Sequence, residues 1–232
     1  MSDGRALDRA SAARIAAAYK PARWFGNRWN YFYSRAKLAS DPLYPAVADA
    51  LRGTSAPLLD LGCGIGLLVL ALRDAGIGVA YRGVDFDAAK IAQARRATQL
   101  AGSADARFDV VDLAAGAGYP RHRGSVALLD VLQYLPPDAQ ARLLDAAIGM
   151  LSADGVLVIR SGLDDGGARI RTTGAFDRLA ARLGWMKSPP LCYPREDELR
   201  ARLDAAGLQS RFSPLRGNTP FNNYLIVARR AP

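Results

Sequence analysis

The sequence predicts an α/β chain built on a mostly parallel sheet with helices on both faces. Short apolar strands alternate with helical stretches between residues 58 and 160. Gly155 to Arg160 is an uninterrupted apolar run of the kind found where both faces of a parallel sheet are covered. Acidic residues recur at the strand ends, at Asp60, Asp85, Asp112 and Asp130. Ligands of open α/β sheets lie outside those carboxyl ends.

The first strand runs into Leu-Leu-Asp-Leu-Gly-Cys-Gly-Ile-Gly, residues 58 to 66. Gly62, Gly64 and Gly66 clear one side of the turn of Cβ atoms, and the helix that follows adds a positive dipole end with free N–H donors. An ordinary strand-to-helix turn is the plain alternative. The spacing G-x-G-x-G departs from the G-x-G-x-x-G of dinucleotide sites. Asp60, two residues earlier, would repel a diphosphate but suits an ammonium group. This combination resembles motif I of the class I S-adenosylmethionine-dependent methyltransferases.

The second strand ends at Tyr81-Arg82-Gly83-Val84-Asp85-Phe86-Asp87. Asp85 is placed to accept both ribose hydroxyls, with helix N-capping as its alternative, a role equally open to Asp87. The third strand, Ala106 to Val111, leads to Asp112-Leu113. The resemblance implies that Asp112 meets the adenine amine while an apolar neighbour covers the ring; a solvated loop is the alternative. The fourth strand, Ser125 to Asp130, is followed by Val131-Leu132-Gln133-Tyr134 and by Pro136-Pro137-Asp138, which opens a helix to Met150. Gly155 to Arg160 is the fifth strand. Ala168 to Leu183 and Glu196 to Ala206 read as amphipathic helices, the second stopping at Gly207. Strands near Leu208 to Phe212 and Asn223 to Ala228 close the chain. That antiparallel pair also resembles the class I methyltransferase sheet, so the likeness spans about residues 55 to 230 and implies a Rossmann-like fold of seven strands with an antiparallel last strand.

The division expected is an N-terminal helical cap, residues 1 to 52, on a cofactor-binding unit, residues 53 to 232. The implied cofactor is S-adenosylmethionine, without a metal. Its site would draw on Asp60, Gly62, Cys63, Gly64, Gly66, Asp85, Phe86, Asp112, Leu113, Asp130 and Val131. By resemblance, Tyr33 and Lys37 of the cap approach the methionine carboxylate. Trp24, Trp29 and Tyr31 line an aromatic pocket, and Arg160 and Asn222 face the acceptor. The cap aromatics could equally be packing glue or a membrane-surface face. Related enzymes often carry a histidine where this chain has Tyr134, so the proton-handling candidates are Tyr134 and His122, the only histidine. A phenol with a pKa near ~10 more readily orients than deprotonates, and His122 sits between Arg121 and Arg123 in a surface loop.

Half of the 232 residues are hydrophobic, enough for one α/β core. Two cysteines make neither a disulfide framework nor a zinc site, and Cys63 reads as packing. The start lacks an apolar signal segment, so a cytoplasmic protein is expected. Net charge is +5 over residues 1 to 52, −2 over 53 to 164 and +6 over 165 to 232. Basic flanks would draw an anionic substrate or partner to the pocket mouth, although an Arg-rich solvated surface has the same composition. Nucleic acid is the rival acceptor on charge, but the fourth strand lacks the Asn/Asp-Pro-Pro-aromatic pattern of base methylation. A non-catalytic nucleotide-binding protein is a second rival, set against the intact Asp60, Gly62, Gly64 and Asp85. The closing segment Asn218 to Val227 and the Tyr-Phe-Tyr run of the cap are similar to bacterial methyltransferases of aryl polyene pigment pathways. That likeness implies a small hydroxyaryl or carboxylated acceptor, free or on an acidic acyl carrier protein. The sequence gives no oligomeric state.

Overall fold

The strands are β1 (Leu58–Leu61), β2 (Tyr81–Asp85), β3 (Arg107–Val110), β4 (Ser125–Leu129), β5 (Val156–Gly162), β6 (Leu208–Pro214) and β7 (Asn223–Arg230). They form one sheet in the order β3-β2-β1-β4-β5-β7-β6. Pairs among β1 to β5 are parallel, whereas β7 runs antiparallel to both β5 and β6. The expected seven-stranded sheet with an antiparallel last strand is therefore present. This computed structural model describes residues 5–21, 23, 26–116, 118–164, 191–215 and 223–231. The helix expected over 168 to 183 lies outside them, as do Trp24 and Asn222.

Strand alternation sorts the core into two layers. Leu58, Ala127, Val156 and Val158 face a layer that holds Ile15 and Tyr19, Leu43 and Val47, Leu68 and Leu72, and Ile91. These come from the helices α1 (Arg9–Ala16), α3 (Leu43–Leu51), α4 (Leu67–Asp74) and α5 (Ala88–Leu100), and from the 3-10 turn Ala17–Tyr19 after α1. Leu59, Leu61, Val126, Leu157 and Ile159 face the opposite layer, supplied by α6 (Pro137–Gly149) and α7 (Glu196–Ala205). The N-terminal helices thus share one apolar layer with the helices that follow the glycine turn. Among them, α2 (Trp29–Ser40) inserts only Ser34 and Leu38 as fully buried side chains.

Local chemistry sets the helix ends. Asp87 caps α5 by accepting from the N–H groups of Ala89 and Lys90 at 2.9 and 3.2 Å. Pro137 occupies the first turn of α6, where a missing N–H costs nothing. Three acidic residues, Glu196, Asp197 and Glu198, meet the positive end of α7. Its chain leaves through Gly207 at φ 69°. At the outer edge of the sheet, the Arg95 guanidinium of α5 donates to the carbonyl of Phe108 on β3. No helix among the described residues is long and apolar enough to cross a membrane.

Candidate active site at the carboxyl edge of the sheet

The glycine turn leaves β1 at Gly62, whose N–H and that of Cys63 donate to the Val84 carbonyl at 2.8 and 2.9 Å. Its glycines serve different ends. Gly62 has φ 89°, and a Cβ there would lie 2.3 Å from Val131 Cγ2. A Cβ on Gly66 would lie 3.0 Å from that of Ala94 in α5. On Gly64, at φ 55°, it would meet nothing within 4 Å. Gly62 and Gly66 are thus required by the protein's own packing, while Gly64 keeps backbone open on the side where a ligand can lie flat.

Two carboxylates frame this opening. Asp85 Oδ2 accepts from the Gly64 N–H at 3.0 Å, and its Oδ1 accepts from the Asp87 N–H at 2.9 Å. Since Asp87 caps α5, Asp85 is left for the turn. Asp60 points from β1 into the α4 and α5 layer, buried to 2% exposure, where the Tyr81 hydroxyl donates to Oδ2 at 2.5 Å. Its Oδ1 is buried without a hydrogen-bond partner among the described residues. Burial pushes this carboxyl up to about 7; the Tyr81 bond opposes that rise and the Asp85 charge adds to it. Burial also pushes the Cys63 thiol far up, which makes it a packing residue. Phe86 projects beside the turn at 69% exposure, with the Lys90 ammonium 5.6 Å from its ring centroid. Asp112 is exposed at the end of β3 and accepts from the Ala114 N–H at 2.9 Å.

The other half of the edge is an ionic clasp between the cap and β4 and β5. Arg160, on the same face of β5 as Val156 and Val158, reaches Asp41 at 2.7 Å and Asp130 at 3.0 Å through Nη1. Lys37 of α2 lies 3.4 Å from Asp41 and 3.8 Å from Asp130. Burial opposes the charge on Asp41, but Arg160 and Lys37 outweigh it and hold the carboxyl below the usual range. Burial likewise opposes the Lys37 ammonium, which Asp130, Tyr33 and Asp41 more than restore. Asp130 is the one described non-glycine residue with positive φ, at 61°, a left-handed conformation costing about 1–2 kcal/mol. The clasp holds it there, and the next residue is the Val131 that packs on Gly62. Tyr134 follows on a 3-10 turn, 37% exposed at the same edge.

Several expectations are corrected. His122 precedes β4 and its Nε2 lies 2.9 Å from the Ser125 carbonyl. It therefore sits at the amino edge, roughly 16 Å of strand away from the glycine turn, and cannot handle the acceptor's proton. Arg160 is 6% exposed and engaged by two carboxylates rather than facing an acceptor. Leu113 is buried in the α6 and α7 layer. Trp29 stands on the outward side of α2 at 62% exposure instead of lining a pocket. Tyr31 is half-buried, with Lys20 5.3 Å above its ring and Phe32 edge-on at 5.1 Å.

Two contacts went unforeseen. Asp41 is central to the clasp, signalled only by its spacing of four from Lys37. The buried Tyr19 donates from its hydroxyl to the Ile65 carbonyl at 3.0 Å, tying the cap to the glycine turn.

A family model described as a methyltransferase domain matches residues 31–211. The chain belongs to the methyltransferase domain family. No curated protein matches it significantly. Among solved structures, it is similar to magnesium protoporphyrin IX methyltransferase from Synechocystis PCC 6803 with bound SAH. That match has 17% identity and a TM-score of 0.61, over 94% of this chain and 93% of that one. Mitomycin 7-O-methyltransferase matches at 19% identity and a TM-score of 0.63, over 99% of this chain and 64% of that one. The pyocyanin biosynthetic protein PhzM matches at 18% and 0.63, over 94% and 62%. At these identities the likeness establishes the fold, including its Rossmann-like sheet.

Proposed function

We propose that this member of the methyltransferase family transfers a methyl group from S-adenosylmethionine to a small aromatic or carboxylated metabolite. The observation that carries the reading is the glycine turn. Gly64 keeps one side open, Asp85 stands at its rim, and beneath it Asp60 Oδ1 is buried with no partner among the described residues. An orphaned, buried carboxylate oxygen fits a ligand that brings a cationic donor, and the cofactor has an ammonium group. Asp85 retains lone pairs for ribose hydroxyls, Phe86 offers an exposed ring to the adenine, and Asp112 lies at the next strand end. Tyr33 and Lys37 stand on the cap side of the edge, where the methionine carboxylate would reach.

When bound, the cofactor supplies a methyl group already activated by a positive sulfur. The chain's task is to orient the acceptor, exclude water and receive a proton. Tyr134 is placed to orient an acceptor hydroxyl at the end of β4. The clasp fixes the strand end on which that turn depends. The names of the three similar structures refer to a porphyrin, a mitomycin and a pyocyanin pathway, which supports a small ring-bearing acceptor. A hydroxyaryl acid or its polyene, carried on an acidic acyl carrier protein, is the finer reading. Its support is the likeness of the closing segment to aryl polyene pathway enzymes and the basic flanks.

The reading is tested by calorimetric binding of S-adenosylmethionine and of its demethylated product, followed by transfer of labelled methyl into fractions of a source lysate. Gly64→Ala is the sharp variant. It costs about 1 kcal/mol of stability for its positive φ yet fills the open side, so cofactor binding is expected to drop about tenfold or more while the fold survives. Unchanged binding in a folded Gly64→Ala protein would remove the turn from the cofactor site. Label in the organic-soluble fraction or on a small carrier protein supports the acceptor reading; label in RNA overturns it.

A further inference from the structure

We propose that the outward face of α2 is a docking surface for an anionic lipid bilayer, a role independent of the methyl-transfer reading. A surface helix ordinarily turns its apolar stripe inward. Here the inward side holds Ser34 and Leu38, whereas Trp29 and Phe32 point out at 62% and 55% exposure. Their spacing of three residues puts them on one stripe, extended at spacings of four by the exposed small residues Ala36 and Ser40. The exposed Arg35 flanks that stripe.

Charge decides what covers it. Between Asp8 and Asp41 every charged residue is a cation; Arg14 is paired with Asp74 and Lys37 with Asp41 and Asp130, while the exposed Arg9, Lys20, Arg23, Arg28 and Arg35 set the charge of this side. A second copy of the chain seated on this face would bring cation against cation. An anionic headgroup layer instead complements the charge, and it accepts Trp and Phe rings at the depth where aromatic side chains are most stable.

The test uses the full chain with vesicles of phosphatidylcholine alone and of phosphatidylcholine mixed with phosphatidylglycerol. Co-sedimentation with the anionic vesicles is expected, together with a blue shift of tryptophan emission that Trp29→Phe removes. The Trp29→Ser/Phe32→Ser double variant keeps every charge and is expected to bind about tenfold or more weakly, from the loss of two apolar insertions. Its thermal unfolding should be unchanged, because both side chains are already exposed. If the double variant fails to fold, Phe32→Ser alone with the emission shift decides. No binding, equal binding to both vesicle types, or undiminished binding by the aromatic variants would overturn the proposal. So would a dimer in sedimentation velocity that Phe32→Ser dissociates, since the face would then belong to a second copy.

Discussion

Asp60 is a buried and Asp41 a half-buried acidic residue at the carboxyl edge of one sheet, yet their environments push them in opposite directions. Asp60 has a phenol for a partner. Tyr81 offers one hydrogen bond and no charge, so desolvation wins and the carboxyl rises to about 7. Asp41 has Arg160 at 2.7 Å and Lys37 at 3.4 Å, and its carboxyl falls. Burial penalises both carboxylates; the partner decides the outcome. The turn side keeps an incompletely satisfied acid ready for a cationic ligand, while the clasp side uses its acids to hold structure.

The largest expected effect that would sharpen this contrast is on pH dependence. Folded Asp60 binds a proton more tightly than the unfolded chain, so stability falls as pH rises from about 4 to 7 and stays low above that. A shift of this size corresponds to roughly 4 kcal/mol. Urea unfolding across that range should therefore show Asp60→Asn gaining on the parent chain as pH rises. Parallel pH profiles would remove the distinction.

Next in size, Arg160→Met removes the nearer of the two cations that Asp41 and Asp130 share and leaves them to Lys37 at 3.4 and 3.8 Å, at an expected cost of about 3 kcal/mol at neutral pH. Thermal and chemical melts measure it; a loss under about 1 kcal/mol would reduce the clasp to ordinary surface pairing. The smallest effect is that of Asp41→Asn, about 1–2 kcal/mol at neutral pH. Because the folded carboxyl lies below 3.8, this contribution is complete above that value and is lost as pH falls through the lowered one. The variant and the parent should converge in strong acid, opposite in sign to the Asp60 pair.

The glycine turn was legible because backbone geometry demands its residues: positive φ at Gly62, Gly64 and Gly66 leaves few alternatives. The choice between Asp85 and Asp87 for capping needed coordinates, since either carboxylate reaches a helix end in sequence terms. Arg160 shares strand parity with Val156 and Val158, which pointed it toward the cap layer, but nothing local announced Asp41, 119 residues away, as its partner. His122 was open to exclusion from topology alone, because residues that precede a parallel strand lie at the amino edge. Trp29 was misplaced because an aromatic in the N-terminal segment was read as pocket lining when it faced outward.

The bond from Arg95 to the Phe108 carbonyl has a further consequence at the margin of the sheet. Phe108 turns its backbone polar groups away from β2, because Val111, three residues on, donates to the Asp85 carbonyl and places the odd-numbered residues on the paired side. An unpaired carbonyl in the middle of an edge strand is a template for another chain. With a guanidinium already seated on that oxygen, an incoming strand finds no acceptor at the centre of β3, so this rim of the sheet resists growing by strand addition into larger assemblies.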